Sequence, residues 1–142
     1  HHLEAARSFA QRTIELAEKV RMIEYVGMAK TNLAWCAWRE GNYDEVEKLG
    51  SEALELWHGM KDPYSFDWMA LLPMIAAAVE RDQSEQAITL ARGLFPENQH
   101  PIDDAVMSAF RLAIDLWDKT DQTAAAAQLQ AALQTAEQLR YL

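Results

Sequence analysis

Between residues 3 and 17 the apolar positions Leu3, Ala6, Ala10, Ile14 and Ala17 recur at intervals of three and four, which lines them up on one face of a 3.6-residue helix. The same spacing runs through 23–38, 43–57, 66–79, 85–94, 102–117 and 123–139. No stretch sustains the period-two alternation of a half-buried strand. The pattern predicts an all-α chain of seven helices.

Glycine and proline mark the joints. Gly41, Gly59, Gly93, Pro63, Pro96 and Pro101 fall between or at the ends of periodic segments. Asp62 before Pro63 predicts an N-cap with a first-turn proline, and Pro101 with Asp103 and Asp104 predicts the same. Carboxylates there suit the positive end of the helix dipole, a better reading of Asp103 and Asp104 than an acid–base pair. Pro73 lies inside the fourth segment, where it removes one hydrogen bond and predicts a kink.

The joints also repeat. Gly41-Asn42-Tyr43-Asp44-Glu45, Asp82-Gln83-Ser84-Glu85-Gln86 and Thr120-Asp121-Gln122-Thr123-Ala124 succeed one another at steps of 41 and 38 residues. Trp38, Val79 and Trp117 precede them at matched positions, and Ala53, Leu94 and Ala132 follow at matched positions in the second helices. A further step back reaches Thr13. One two-helix unit cannot bury both its faces, so such an array stacks into a continuous core. The expected hairpins are 23–60, 64–96 and 101–140, within one domain spanning 1–142. Residues 1–19 then match a second helix lacking its first, the expectation for a C-terminal fragment of a larger protein. His1-His2 reads equally as native residues or as the remnant of an affinity tag.

Composition narrows the function classes. At 142 residues and half apolar, the chain can bury well over half of its unfolded surface without disulfides or metal. Acids outnumber bases 22 to 13, for a net charge of −9. The excess is even, with ten acids and seven bases in 1–60, six and three in 61–100, and six and three in 101–142. Without a basic face the chain has no means of neutralising phosphates, so neither nucleic acid nor an anionic membrane is an expected partner. No apolar run approaches the roughly 18 residues of a membrane helix, and the start has no signal-peptide pattern. Cys36 is the single cysteine; it rules out an internal disulfide, fits a reducing cytoplasm, and reads as a small buried residue.

Catalytic patterns are missing. There is no His-Glu-x-x-His, no Cys-x-x-Cys, no phosphate loop and no Gly-x-Ser-x-Gly elbow. Of the histidines, His1 and His2 are terminal and His58 and His100 fall in expected loops. His1, His2 and Glu4 on a chain end make a poor metal cage. Glu45 with Lys48, and Glu52 with Glu55, read as exposed helix charge. No catalytic residue, metal or cofactor is expected.

Residues 32–56 carry a resemblance. Leu33, Ala34 and Ala37, then Gly41-Asn42-Tyr43-Asp44-Glu45, then Ala53, Leu54 and Leu56 resemble a tetratricopeptide repeat. The departures are Asp82 and Thr120 where the family favours glycine, His58 in place of the usual proline, and steps longer than 34 residues. Long units of this kind, with the ending 125–142, are similar to the C-terminal repeat regions of large bacterial signalling proteins, cyclase-like or LuxR-type regulators with an ATPase core.

The resemblance implies a right-handed α-α superhelix of antiparallel hairpins whose first helices line a concave face. Transferring that register places Met28, Thr31, Asn32, Trp35, Trp38 and Arg39 there from the first full unit. Met69, Leu72 and Val79 come from the second, and Met107, Phe110, Arg111, Ile114 and Trp117 from the third. Tryptophan, methionine and arginine are enriched at protein interfaces, so the implied function is a regulatory scaffold whose apolar groove holds a partner helix, a peptide or another domain of the parent chain. The alternative for Trp38 and Trp117 is core packing between units. Asn32 and Arg111 resemble carboxylate-clamp positions, but Leu72, Pro73 and Val79 do not continue that pattern. Two further readings are self-association as a homodimer through the first or last helix, and a small inducer held in the groove.

Overall fold

A computed structural model describes residues 2–142, which form seven helices and no strand. These are α1 (His2–Val20), α2 (Ile23–Arg39), α3 (Tyr43–His58), α4 (Trp68–Glu80), α5 (Ser84–Arg92), α6 (Asp104–Asp118) and α7 (Gln122–Gln138). None of them is long and apolar enough to cross a membrane. His1, and with it the reading of His1-His2, lies outside the described residues.

The repeated joints share one backbone geometry. Gly41, Asp82 and Thr120 all adopt positive φ, at 74°, 54° and 65°. The next N–H in each case reaches back to the carbonyl five residues earlier: Asn42 to Ala37, Gln83 to Ala78 and Asp121 to Leu116, at 2.9–3.0 Å. This left-handed cap satisfies carbonyls that a helix end orphans. Arg21 and Arg140 have the same positive φ and close the same way, Met22 onto Ala17 and Tyr141 onto Ala136. The α1–α2 joint is thus as tight as the three repeated ones, whereas α3–α4 and α5–α6 are joined by longer segments.

Other ends differ from expectation in two places: Pro101, expected in a first turn, lies two residues before the N-cap of α6, and Asp62-Pro63 starts no helix. Asp103 accepts a 2.8 Å bond from the Ala105 N–H as the N-cap of α6, and Asn42 and Asp121 cap α3 and α7. The chain from Gly59 to Phe66 turns irregularly, and α4 begins at Trp68 with Asp67 before it. Tyr64 and Phe66 explain the delay, because they pack on the rings of Trp57 and His100 and hold this segment as a cover over the α3 end.

Helix α4 is the axis of the protein. Residues from Ala70 to Ala78 are all buried, as befits a helix apolar on every side. Met74 and Ala77 join the cluster built from α1–α3, with Ala10, Leu33, Ala34 and Val46. Leu72 and Ile75 join the other, with Ile88, Val106, Phe110, Leu129 and Leu133. Pro73 sits inside this enclosed stretch, where neighbouring side chains rather than an unbroken ladder hold the helix.

The third hairpin docks in an unexpected way. Helix α2 packs along α4, but α4 comes within 8 Å, backbone to backbone, of α7 and not of α6. The reason lies in side-chain size. The bulky α6 face of Val106, Phe110 and Ile114 is spent on the core, while α7 presents Ala125, Ala132 and Ala136 among its buried residues, small enough for close approach.

Candidate functional site

Two depressions follow from this docking, both between α2, α4 and the end of α7. The first, about 380 Å³, is lined by Thr31, Asn32 and Trp35 of α2, Trp68, Met69 and Pro73 of α4, and Arg140, Tyr141 and Leu142. The second, about 430 Å³, is lined by Trp38, by Ala76, Val79, Glu80 and Asp82, and by Gln130, Leu133, Gln134 and Glu137. They follow one another along the α2–α4 face, here called the cleft; the first has an aromatic and apolar lining, and the second adds Glu80, Asp82, Gln130, Gln134 and Glu137 to Trp38, Ala76, Val79 and Leu133.

On the α2 wall Thr31 is buried, its hydroxyl donating to the Met28 carbonyl of its own helix at 2.8 Å, while Asn32 beside it is exposed. Trp35 and Trp38 are half-buried. The Arg39 guanidinium lies 5.9 Å from the Trp35 ring centre and 5.5 Å from that of Trp38, within cation–π range of both. It bridges the two indoles and fixes their spacing. At the other wall Tyr141 meets Trp68 edge-on at 5.4 Å, and its hydroxyl accepts the Asp103 N–H at 3.2 Å. The final turn of the chain therefore forms one lip of the cleft.

Seven of the groove residues expected from the family register lie on or beside this cleft: Thr31, Asn32, Trp35, Trp38, Arg39, Met69 and Val79. The others do not. Leu72 and Phe110 are 0% exposed and Ile114 is buried with them, so these three are core. Met28 packs at the Trp57–Tyr64 corner, where its sulfur accepts the Tyr64 hydroxyl at 3.7 Å, and Met107 packs on the α4–α7 core. Arg111 stacks on Phe95 at 4.7 Å, away from Asn32. Trp117 faces a third hollow of about 730 Å³ whose remaining walls are polar, from Asp82 to Gln86 with Thr89 and Gln122. The physical cause is the hairpin's docking through α7, which points α6 away from the face that α2 and α4 share.

The wall made by α7 and the end of the chain, with Leu133, Arg140 and Tyr141, carries no residue of the expected groove. His58 ends α3 with its side chain 57% exposed, and its Nε2 lies 2.7 Å from Oδ2 of Asp67, tying α3 to the start of α4. Asp67 is buried, its N–H donates to Gln99 Oε1 at 2.8 Å, and its Oδ1 has no partner. Leu54, Pro63, Leu71 and Asn98 complete a hollow of about 310 Å³ beside this pair. An aspartate directly before an apolar helix was the signal available for it, since that is where a cap belongs.

Among the described residues no group of three or more histidine, cysteine or carboxylate side chains converges as a metal cage would require. No family model, curated protein or solved structure matches the chain.

Proposed function

We propose that this chain is a protein-interaction module of tetratricopeptide-like construction rather than an enzyme, and that it holds a partner helix or extended peptide in the cleft between α2, α4 and α7. The repeated left-handed caps of the three hairpins support the repeat reading. One observation carries the functional reading. Trp35 and Met69 in the first depression, and Trp38 and Val79 in the second, are half-buried along the shared face of α2 and α4, and such anchors reward a partner that completes their burial. Asn32, exposed at the rim, supplies an amide for a backbone group of the partner. Within a longer signalling protein such a module would couple a partner's arrival to an output elsewhere in the chain.

A random-peptide library displayed on phage, selected on the wild-type protein and counter-selected on the W35A/W38A variant, tests this directly. Sequences that bind the wild type at micromolar affinity and lose at least about tenfold on the variant are expected. Circular dichroism of the variant must show unchanged helicity. Failure to enrich any such sequence, or equal binding to both proteins, contradicts the reading.

A further inference from the structure

The two long joints of the chain, α3 to α4 and α5 to α6, meet at one place. The N–H of His100 donates to the Ser65 carbonyl at 2.7 Å, and the Asp67 N–H donates to Gln99 Oε1 at 2.8 Å. Phe66 stacks on the His100 ring, with centres 5.1 Å apart. The segments thus pin each other, and beside them lies the hollow of about 310 Å³ that Asp67 lines. It shares no lining residue with either depression of the cleft. Irregular segments fixed on a helical frame are where ligand sites concentrate.

Asp67 sets the chemistry of this hollow. Its side chain is only 7% exposed. His58 holds Oδ2, while Oδ1 is closed to solvent and has no partner, a costly state for a carboxylate oxygen. Among the described residues no lysine or arginine lines the hollow, and Leu54, Leu71, Pro63 and Pro96 make most of its wall apolar. The geometry points to a binding site for a small protonated primary amine with a short aliphatic body. Its ammonium donates to Oδ1 and offsets the buried charge, since a charge-assisted bond is stronger than a neutral one. Its alkyl chain lies against Leu54 and Leu71. The same geometry sets the specificity. A guanidinium works best as a fork on both carboxylate oxygens, and His58 already holds one of them. A diamine would leave its second charge unpaired among leucines and prolines. The volume is at the lower end of the roughly 300–1,000 Å³ of ligand pockets, which favours a small monoamine.

The test is a titration of the full chain with n-butylammonium at neutral pH and constant ionic strength, followed by NMR. The His58 ring and the side-chain amides of Asn98 and Gln99 are expected to shift saturably, with a midpoint of millimolar order. The indole signals of Trp35 and Trp38, in the cleft, are expected to stay in place. n-Butanol, with the same body and no charge, is expected to bind at least about tenfold more weakly. D67N is expected to weaken n-butylammonium at least about tenfold. Because Asp67 also joins α3 to α4, a second variant leaves that pair intact. Asn98 is exposed on the hollow's wall, and N98R sets a competing cation there. It is expected to weaken binding about tenfold with unchanged circular dichroism and thermal melt, and it decides alone if D67N does not fold. Three results overturn the proposal: no saturable shift, equal affinity for the alcohol, or undiminished binding in N98R or a folded D67N.

Discussion

The indole of Trp57 lies flat where a side chain at Gly27 would be: a Cβ there would stand 2.2 Å from Trp57 Nε1 and 2.6 Å from Cε2. Trp57 is 0% exposed, and its indole N–H donates to the Glu24 carbonyl, one turn before Gly27, at 3.1 Å. Helix α3 is thus locked to α2 by a large ring accepted into a notch one residue wide.

Gly27→Ala would ordinarily gain about 1 kcal/mol in helix propensity. Here it displaces a rigid ring and endangers its hydrogen bond, so a net loss of about 3 kcal/mol is expected in urea unfolding. Gly50 provides the contrast. Its added Cβ would meet Met74 Sδ and Cγ, the mobile part of a side chain with several rotamers, and Gly50→Ala should stay within about 1 kcal/mol of wild type. Equal losses at both sites would contradict the notch.

The caps give a second comparison. Thr120 holds φ at 65° although it is β-branched, while Gly41 holds 74° in open space. The left-handed region costs a residue with a Cβ roughly 1–2 kcal/mol. Thr120→Gly is therefore expected to stabilise by about 1 kcal/mol, and Gly41→Ala to destabilise by a similar amount. Thermal melts should move by about 3 °C in opposite directions.

Those joints were legible in the sequence because turn chemistry is local. The steps of 41 and 38 residues coincide with the positive-φ positions Gly41, Asp82 and Thr120. The helices were legible for the same reason, their apolar period being written into contiguous residues. The cleft was half legible. Trp35, Trp38 and Met69 follow from the α2 and α4 faces, but Phe110 and Trp117 were misassigned, because whether α6 or α7 faces α4 depends on side-chain volumes forty to sixty residues apart. The alanines of α7 decide it, and no periodicity reports that.

Cys36 is fully buried, and burial pushes its thiol above the ordinary range, opposed by the Arg7 charge and aided by the carboxylates of Glu40 and Glu45. The thiolate is the reactive form. Labelling by a chromogenic disulfide at neutral pH is therefore expected to be limited by protein opening and to become immediate in denaturant. Rapid labelling of the native protein would show that the α1–α2–α3 core is loose.

Asp118 and Arg92 join the start of the α6–α7 turn to the end of α5. The hydrogen bond from Arg92, reinforced by its charge, holds the Asp118 carboxyl below the usual carboxylate range. A depressed folded-state value contributes stability that is present above the unfolded value and is lost as pH falls through the folded one. Both groups are exposed at the surface, so the contribution is small. An NMR titration of the Asp118 carboxyl should show the depressed midpoint, and Arg92→Met should return it to the ordinary range. An unchanged midpoint in that variant would exclude Arg92 as the cause.

The five tryptophans make one experiment decisive for the cleft. Trp35, Trp38 and Trp68 line it, Trp57 is buried, and Trp117 faces a separate, polar-walled hollow that meets the second depression at Asp82. Their indole N–H signals, assigned by single substitution, can be followed while a library-selected peptide is titrated into the protein. The cleft predicts concentration-dependent shifts of Trp35, Trp38 and Trp68, with Trp57 and Trp117 unmoved. Shifts centred on Trp117, or on none of the five while binding is measured independently, would place the partner elsewhere and contradict the proposed function.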